Sequence, residues 1–68
     1  MDVYYVNNAT QTNGDHEVHS PSCSYLPEIN SRTYLGVFPD CHEALDAAKE
    51  HYAQVNGCVH CCGDCHTG

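Results

Sequence analysis

Sulfur and imidazole are the groups in this chain that could do chemistry, and they fall in two places. The first is His19-Ser-Pro-Ser-Cys23; the second is the tail Cys58-Val-His-Cys61-Cys62-Gly-Asp-Cys65-His66, which holds two back-to-back Cys-x-x-Cys pairs. A Cys-x-x-Cys turn lets two thiolates reach one ion, and two distant ligand pairs complete a tetrahedral site. His19 and Cys23 with one tail pair would supply one imidazole and three thiolates, the donor set of a structural zinc site, with iron the main competitor. Cys62 and Cys65 are the preferred tail pair, because the small, polar Gly63-Asp64 between them suits a tight zinc-knuckle turn. Cys58 and Cys61 are the alternative, better anchored but separated by bulkier residues. The other candidates read as structural: Cys41 as a small buried residue on a helix face, His42 and His51 as solvated helix positions, His16 as a strand residue facing away from His19. His60 and His66 flank thiols and are at most secondary ligands or donors to a ligand.

These groups need elements to position them. Asp2 to Val6 is β-branched and aromatic, which predicts a strand. Asn7 to Asp15 holds turn formers including Asn13-Gly14, and His16 to His19 alternates as a second strand, so a hairpin is expected. Ser20 to Ser31, with two prolines, predicts an irregular connection with at most one helical turn, contributing Leu26 and Ile29 to the core. Arg32 to Phe38 predicts a third strand with Gly36 at a bulge or close approach. Asp40 is a good N-cap with Glu43 three residues on, and Cys41, Ala44, Leu45, Ala48, Tyr52 and Val55 recur at helical spacing. That pattern predicts a helix from His42 to Val55, roughly 21 Å long, closed by Asn56-Gly57 as a left-handed cap. Such a helix would hold Cys41 and Cys58 about 20 Å apart, too far for a disulfide between them.

Composition shows why a staple is needed. Leu, Ile, Val and Phe number 11 of 68 residues, there is no Trp, and the formal net charge is −7. A core this poor beside that charge approaches the disordered class, and the six Cys and six His are what offset it. No apolar run approaches the roughly 20 residues of a membrane span, and the first residues do not read as a signal peptide. The expected compartment is cytoplasmic, where clustered cysteines bind metal more often than they form disulfides. Arg32 and Lys49 are the sole Lys or Arg residues, too few to neutralise phosphates, so no nucleic-acid partner is expected.

The run from Tyr4 onward, with His19-x-x-x-Cys23, the segment Arg32-Thr-Tyr-Leu-Gly-Val-Phe38, a helix opening near Glu43-Ala44-Leu45, a glycine and then Cys-x-x-Cys, resembles the small Ada-like metal-binding domains, which are similar to the N-terminal zinc domain of the Ada DNA-repair protein. The resemblance covers nearly the whole chain and implies a compact domain with one zinc held by a ligand pair from each half. It matches His19 and Cys23 to the first pair and leaves the choice of tail pair open. In the Ada protein the first of these positions is the cysteine that accepts a methyl group from DNA phosphotriesters. His19 stands there in this chain, and the basic residues are missing, so neither that activity nor DNA binding is implied.

The expectation is therefore one α+β domain over residues 1–68: three short antiparallel strands and a helix in the C-terminal half, followed by a Cys-rich knuckle. Its expected role is that of a monomeric, non-catalytic zinc domain that contacts a protein partner. The alternatives are a thiol redox protein or sensor, and a metal-handling protein with a labile second site. Four protein ligands would leave no open position for a hydrolytic water. The redox reading is disfavoured by cysteines that follow a helix C-terminus, whose dipole opposes a thiolate.

Overall fold

The computed structural model describes residues 1–67. Strands β1 (Asp2–Asn7), β2 (His16–His19) and β3 (Arg32–Phe38) are followed by helix α1 (Cys41–Ala48) and strand β4 (Val55–Gly57); short 3-10 turns cover Ile29–Ser31 and Gly63–Cys65. The sheet order is β3-β1-β2-β4. β1 pairs antiparallel with both β2 and β3, whereas β2 pairs parallel with β4, so the sheet is mixed and has four strands rather than three antiparallel ones.

The β1–β3 ladder runs from Asp2↔Phe38 to Asn7↔Arg32. Its register slips between Tyr4↔Gly36 and Tyr5↔Tyr34, and Gly36, at φ +129°, takes the bulge in a conformation side chains rarely adopt. On the core side Tyr4, Val6 and Val18 meet Cys41, Ala44 and Ala48 of α1, with Cys62 and Cys65 closing one end. Ala44 and Ala48 are fully buried, and these small residues let the helix approach the sheet closely. Asp40 caps α1 as expected, its Oδ1 accepting from the Glu43 N–H at 3.1 Å.

Three expectations fail here. The helix stops at Ala48 instead of reaching Val55, and the chain tightens into three-residue turns: the Glu50 N–H donates to Ala47 O and the His51 N–H to Ala48 O. Tyr52 and Val55 continue the helical spacing but serve other partners. Tyr52 stacks on His16 at 3.6 Å between ring centroids, and its hydroxyl donates to Asn8 Oδ1; Val55 opens β4 opposite His16. Asn56-Gly57 is accordingly not a left-handed cap, the positive-φ glycines among the described residues being Gly14 and Gly36. Ile29, expected in the core, is 75% exposed, while Leu26 is half-buried. The short turn at Ile29–Ser31 is the single helical turn that the connection allowed.

Candidate metal centre

The site grows out of the β2–β4 register. Val18 lies opposite Gly57 in a parallel pair, so His19 and Cys58 leave the sheet side by side, and the Cys58 N–H donates to Val18 O at 3.0 Å. From His19 the chain turns at once: the Cys23 N–H donates to Ser20 O, which folds Cys23 back toward the strand end. From Cys58 it turns likewise, the Cys62 N–H donating to Cys58 O at 2.7 Å. Gly57 is required beneath this second turn. A Cβ there would meet Cys62 O at 2.8 Å and the Cys65 Cβ at 2.9 Å.

The two turns bring His19, Cys23, Cys58 and Cys61 together, with their ligand atoms all within 4.8 Å of one another. The finer distances suit a metal. Cys23 Sγ and Cys58 Sγ are 3.9 Å apart, and His19 Nδ1 lies 3.9 Å from Cys61 Sγ. Tetrahedral zinc with ordinary bond lengths needs about 3.8 Å between sulfurs and about 3.6 Å from sulfur to nitrogen. His19 is 1% exposed, and burial holds its imidazole below the usual pKa, hence in the neutral form that can ligate. With Nδ1 facing the sulfurs, Nε2 is a buried nitrogen with no hydrogen-bond partner among the described residues, and the Glu17 carboxylate stands 3.9 Å away. At that distance the carboxylate is close to the ring but accepts no hydrogen bond from it. The Ser20 N–H donates to Cys61 Sγ at 3.4 Å. Burial first, then Cys61, raises the Cys23 thiol pKa, so its thiolate form would call for a cation close by.

Of the sequence candidates, then, His19 and Cys23 meet Cys58 and Cys61, the alternative tail pair. The preferred pair lies elsewhere. Cys65 is disulfide-bonded to Cys41, with Cα atoms 6.2 Å apart. Cys62 is buried with its Sγ 3.9 Å from that of Cys61, and burial, then the charge of Cys61, pushes its thiol up to about 12. Cys41 is buried on the helix as expected, yet its bond to Cys65 departs from the expectation of reduced thiols. The shortened helix accounts for it, because the chain returns through β4 and lays the tail across the start of α1. His42, His51 and His60 are exposed, and His60 stacks on Tyr25 at 4.1 Å. His66 Nδ1–H donates to Gly57 O at 3.0 Å, tying the tail to β4.

Sequence reasoning missed Asn56. It is buried, its Nδ2 donating to Asp15 Oδ2 and Thr67 O while its Oδ1 accepts from the Gly57 and Thr67 N–H groups. It joins the first loop, β4 and the tail next to the His19 cluster. Comparison with family models, with curated proteins and with solved structures finds no match to this chain. No helix among the described residues is long and apolar enough to cross a membrane.

Proposed function

We propose that this chain is a non-catalytic zinc-binding domain whose ion, held by His19, Cys23, Cys58 and Cys61, does the cohesive work of a larger core and so presents a stable surface to a protein partner. The observation that carries the reading is the convergence of four soft donors from segments about 40 residues apart, with sulfur and nitrogen spacings that suit tetrahedral zinc. Three thiolates, a neutral imidazole and a divalent ion leave a net charge near −1, which the Ser20 N–H partly offsets. Four protein donors saturate the ion, so it is not set up to activate water. The Ada-like resemblance suits the same arrangement of one ligand pair from each half. His19 in place of the methyl-acceptor cysteine, together with the acidic charge, separates this chain from phosphotriester repair.

Elemental analysis of protein with the Cys41–Cys65 bond intact tests the reading. One zinc per chain is expected, lost in Cys58→Ser and Cys61→Ser and retained in Cys62→Ser. Metal-free protein that keeps a dispersed NMR spectrum would overturn it.

A further inference from the structure

A second group of soft donors converges away from the His19 cluster, at the start of α1. Cys41, His42 and Cys65 each offer a ligand atom, and these atoms all lie within 4.8 Å of one another. The two sulfurs are joined as a disulfide, which leaves them no thiolate to give a metal. We propose that Cys41, His42 and Cys65 form a redox-gated second metal site, closed as the disulfide and opened by a dithiol reductant to take one divalent ion of the zinc class.

The chemistry balances without further participants. A thiolate of the dithiol attacks one sulfur of the Cys41–Cys65 bond, that bond breaks, and a mixed disulfide forms. The second thiol of the reductant displaces the remaining cysteine and leaves as a cyclic disulfide. Two electrons have then passed to the protein, which holds two thiols. An incoming divalent ion takes both as thiolates and releases two protons to solvent.

Three features of the structure favour a metal over two idle thiols in the reduced state. Imidazole is already in place, since His42 directly follows Cys41 and is exposed, so an ion can approach from that side. A cavity of about 360 Å³ has Cys41, alone of the three donors, in its wall, and the Asp40 and Asp64 carboxylates in the same wall draw cations toward that side of the site. Cys41 and Cys65 are also both buried and belong to segments 24 residues apart, the helix start and the tail turn. A bridging ion would keep those segments pinned once the covalent bond is gone. The sulfurs need about 3.8 Å between them on zinc, which side-chain rotation supplies from the same Cα positions. Three protein donors leave one tetrahedral position to water, so this ion exchanges more readily than one held by four.

Cobalt(II) titration separates this site from the first. Oxidised protein is expected to bind one equivalent, and anaerobically reduced, desalted protein two. His42→Ala, at an exposed position, should keep the first equivalent and weaken the second at least tenfold. The double variant Cys41→Ser/Cys65→Ser should bind one equivalent under both conditions. Reduced protein that binds no more equivalents than oxidised protein, or a His42→Ala variant that gains an equivalent on reduction as tightly as the parent, overturns the proposal. Oxidised protein with no equivalent and reduced protein with one, lost in His42→Ala, would support this site while overturning the His19 reading.

Discussion

The two halves of the sheet are held together by different means. β1 and β3 share six paired positions, and Tyr5 and Tyr34 meet edge-on at 5.8 Å on one face with the Arg32 guanidinium 4.5 Å above the Tyr5 ring. Tyr4 and Phe38 pack at 6.4 Å as well. β2 and β4 share three positions in a parallel ladder, and beyond them the tail has Val59 as its one aliphatic residue, 52% exposed. What secures that half is a list of specific bonds: the His19 cluster, the Cys41–Cys65 link and the Asn56 network. Ladder and aromatic packing suffice where hydrophobic side chains are present. Where they are absent, the chain depends on point contacts, and each of these can be removed singly.

On the proposed zinc reading, the largest effect should follow from chelation. Structural zinc contributes about 10–16 kcal/mol in small metal-dependent peptides, as much as or more than the whole stability of an ordinary domain, about 5–15 kcal/mol. Chelation of protein with the disulfide intact should abolish amide protection at Cys58, Cys62 and Gly57 first, with the β1–β3 amides last to exchange. Equal loss in both halves would break the contrast and show one cooperative unit. Unchanged protection would sink the metal reading.

The Cys41–Cys65 bond comes next. It closes a loop of 24 residues' separation, for which chain entropy gives about 3 kcal/mol. Cys41→Ser in zinc-loaded protein should lower stability by about that much in urea unfolding, with the loss concentrated at the tail. A loss under about 1 kcal/mol would mean that the His19 cluster alone orders the tail.

How much of this was legible in the sequence follows the same division. β1 and β3, the Asp40 cap and the Gly36 bulge are read from local patterns, because each depends on neighbours within a few residues. The His19–Cys23 pair is legible too, since its spacing is its signal. The end of α1 is not: Tyr52 and Val55 sit at helical spacing, and their partners, His16 and β2, are some 36–39 residues away. The parallel β2–β4 register cannot be read from periodicity, and it is this register that sets Cys58 rather than Cys62 beside His19. Cys41 with Cys65 was hidden for the same reason, since a helix running to Val55 would have carried the tail away from residue 41.

Matched truncations in the two halves sharpen the comparison at smaller scale. Val6 is fully buried in the central strand, and Val6→Ala should cost about 2 kcal/mol through lost burial and a residual cavity. Asn56→Ala leaves the Gly57 and Thr67 N–H groups and the Thr67 carbonyl without their partner, and should also cost about 2 kcal/mol. The two losses should differ in place rather than size. Hydrogen exchange should show the first spread over β1, β2 and β3 and the second confined to β4 and residues near Thr67. An Asn56→Ala effect that reaches β3 would mean the halves are coupled through the sheet.

The smallest effect is a pH dependence at Asp15. Hydrogen bonds from Gln54, then Asn56, hold its carboxyl below the ordinary value of 3.8, and these bonds clasp the first loop to β4. A carboxyl with a lower pKa folded than unfolded adds stability above the unfolded value and loses it as pH falls toward the folded one. In Asp15→Asn the new amide turns a donor toward Asn56 Nδ2 and Asn13 Nδ2, themselves donors, so the variant should be slightly less stable at neutral pH. The gap in urea midpoint between parent and variant should hold from pH 7 to about pH 5 and close below that. Any acid effect on the His19 cluster is common to both proteins and leaves the difference interpretable wherever both still fold. A gap that widens toward acid would mean that Asp15 is strained rather than stabilised in its charged form, and that the β4 half rests on the cysteines and Asn56 without it.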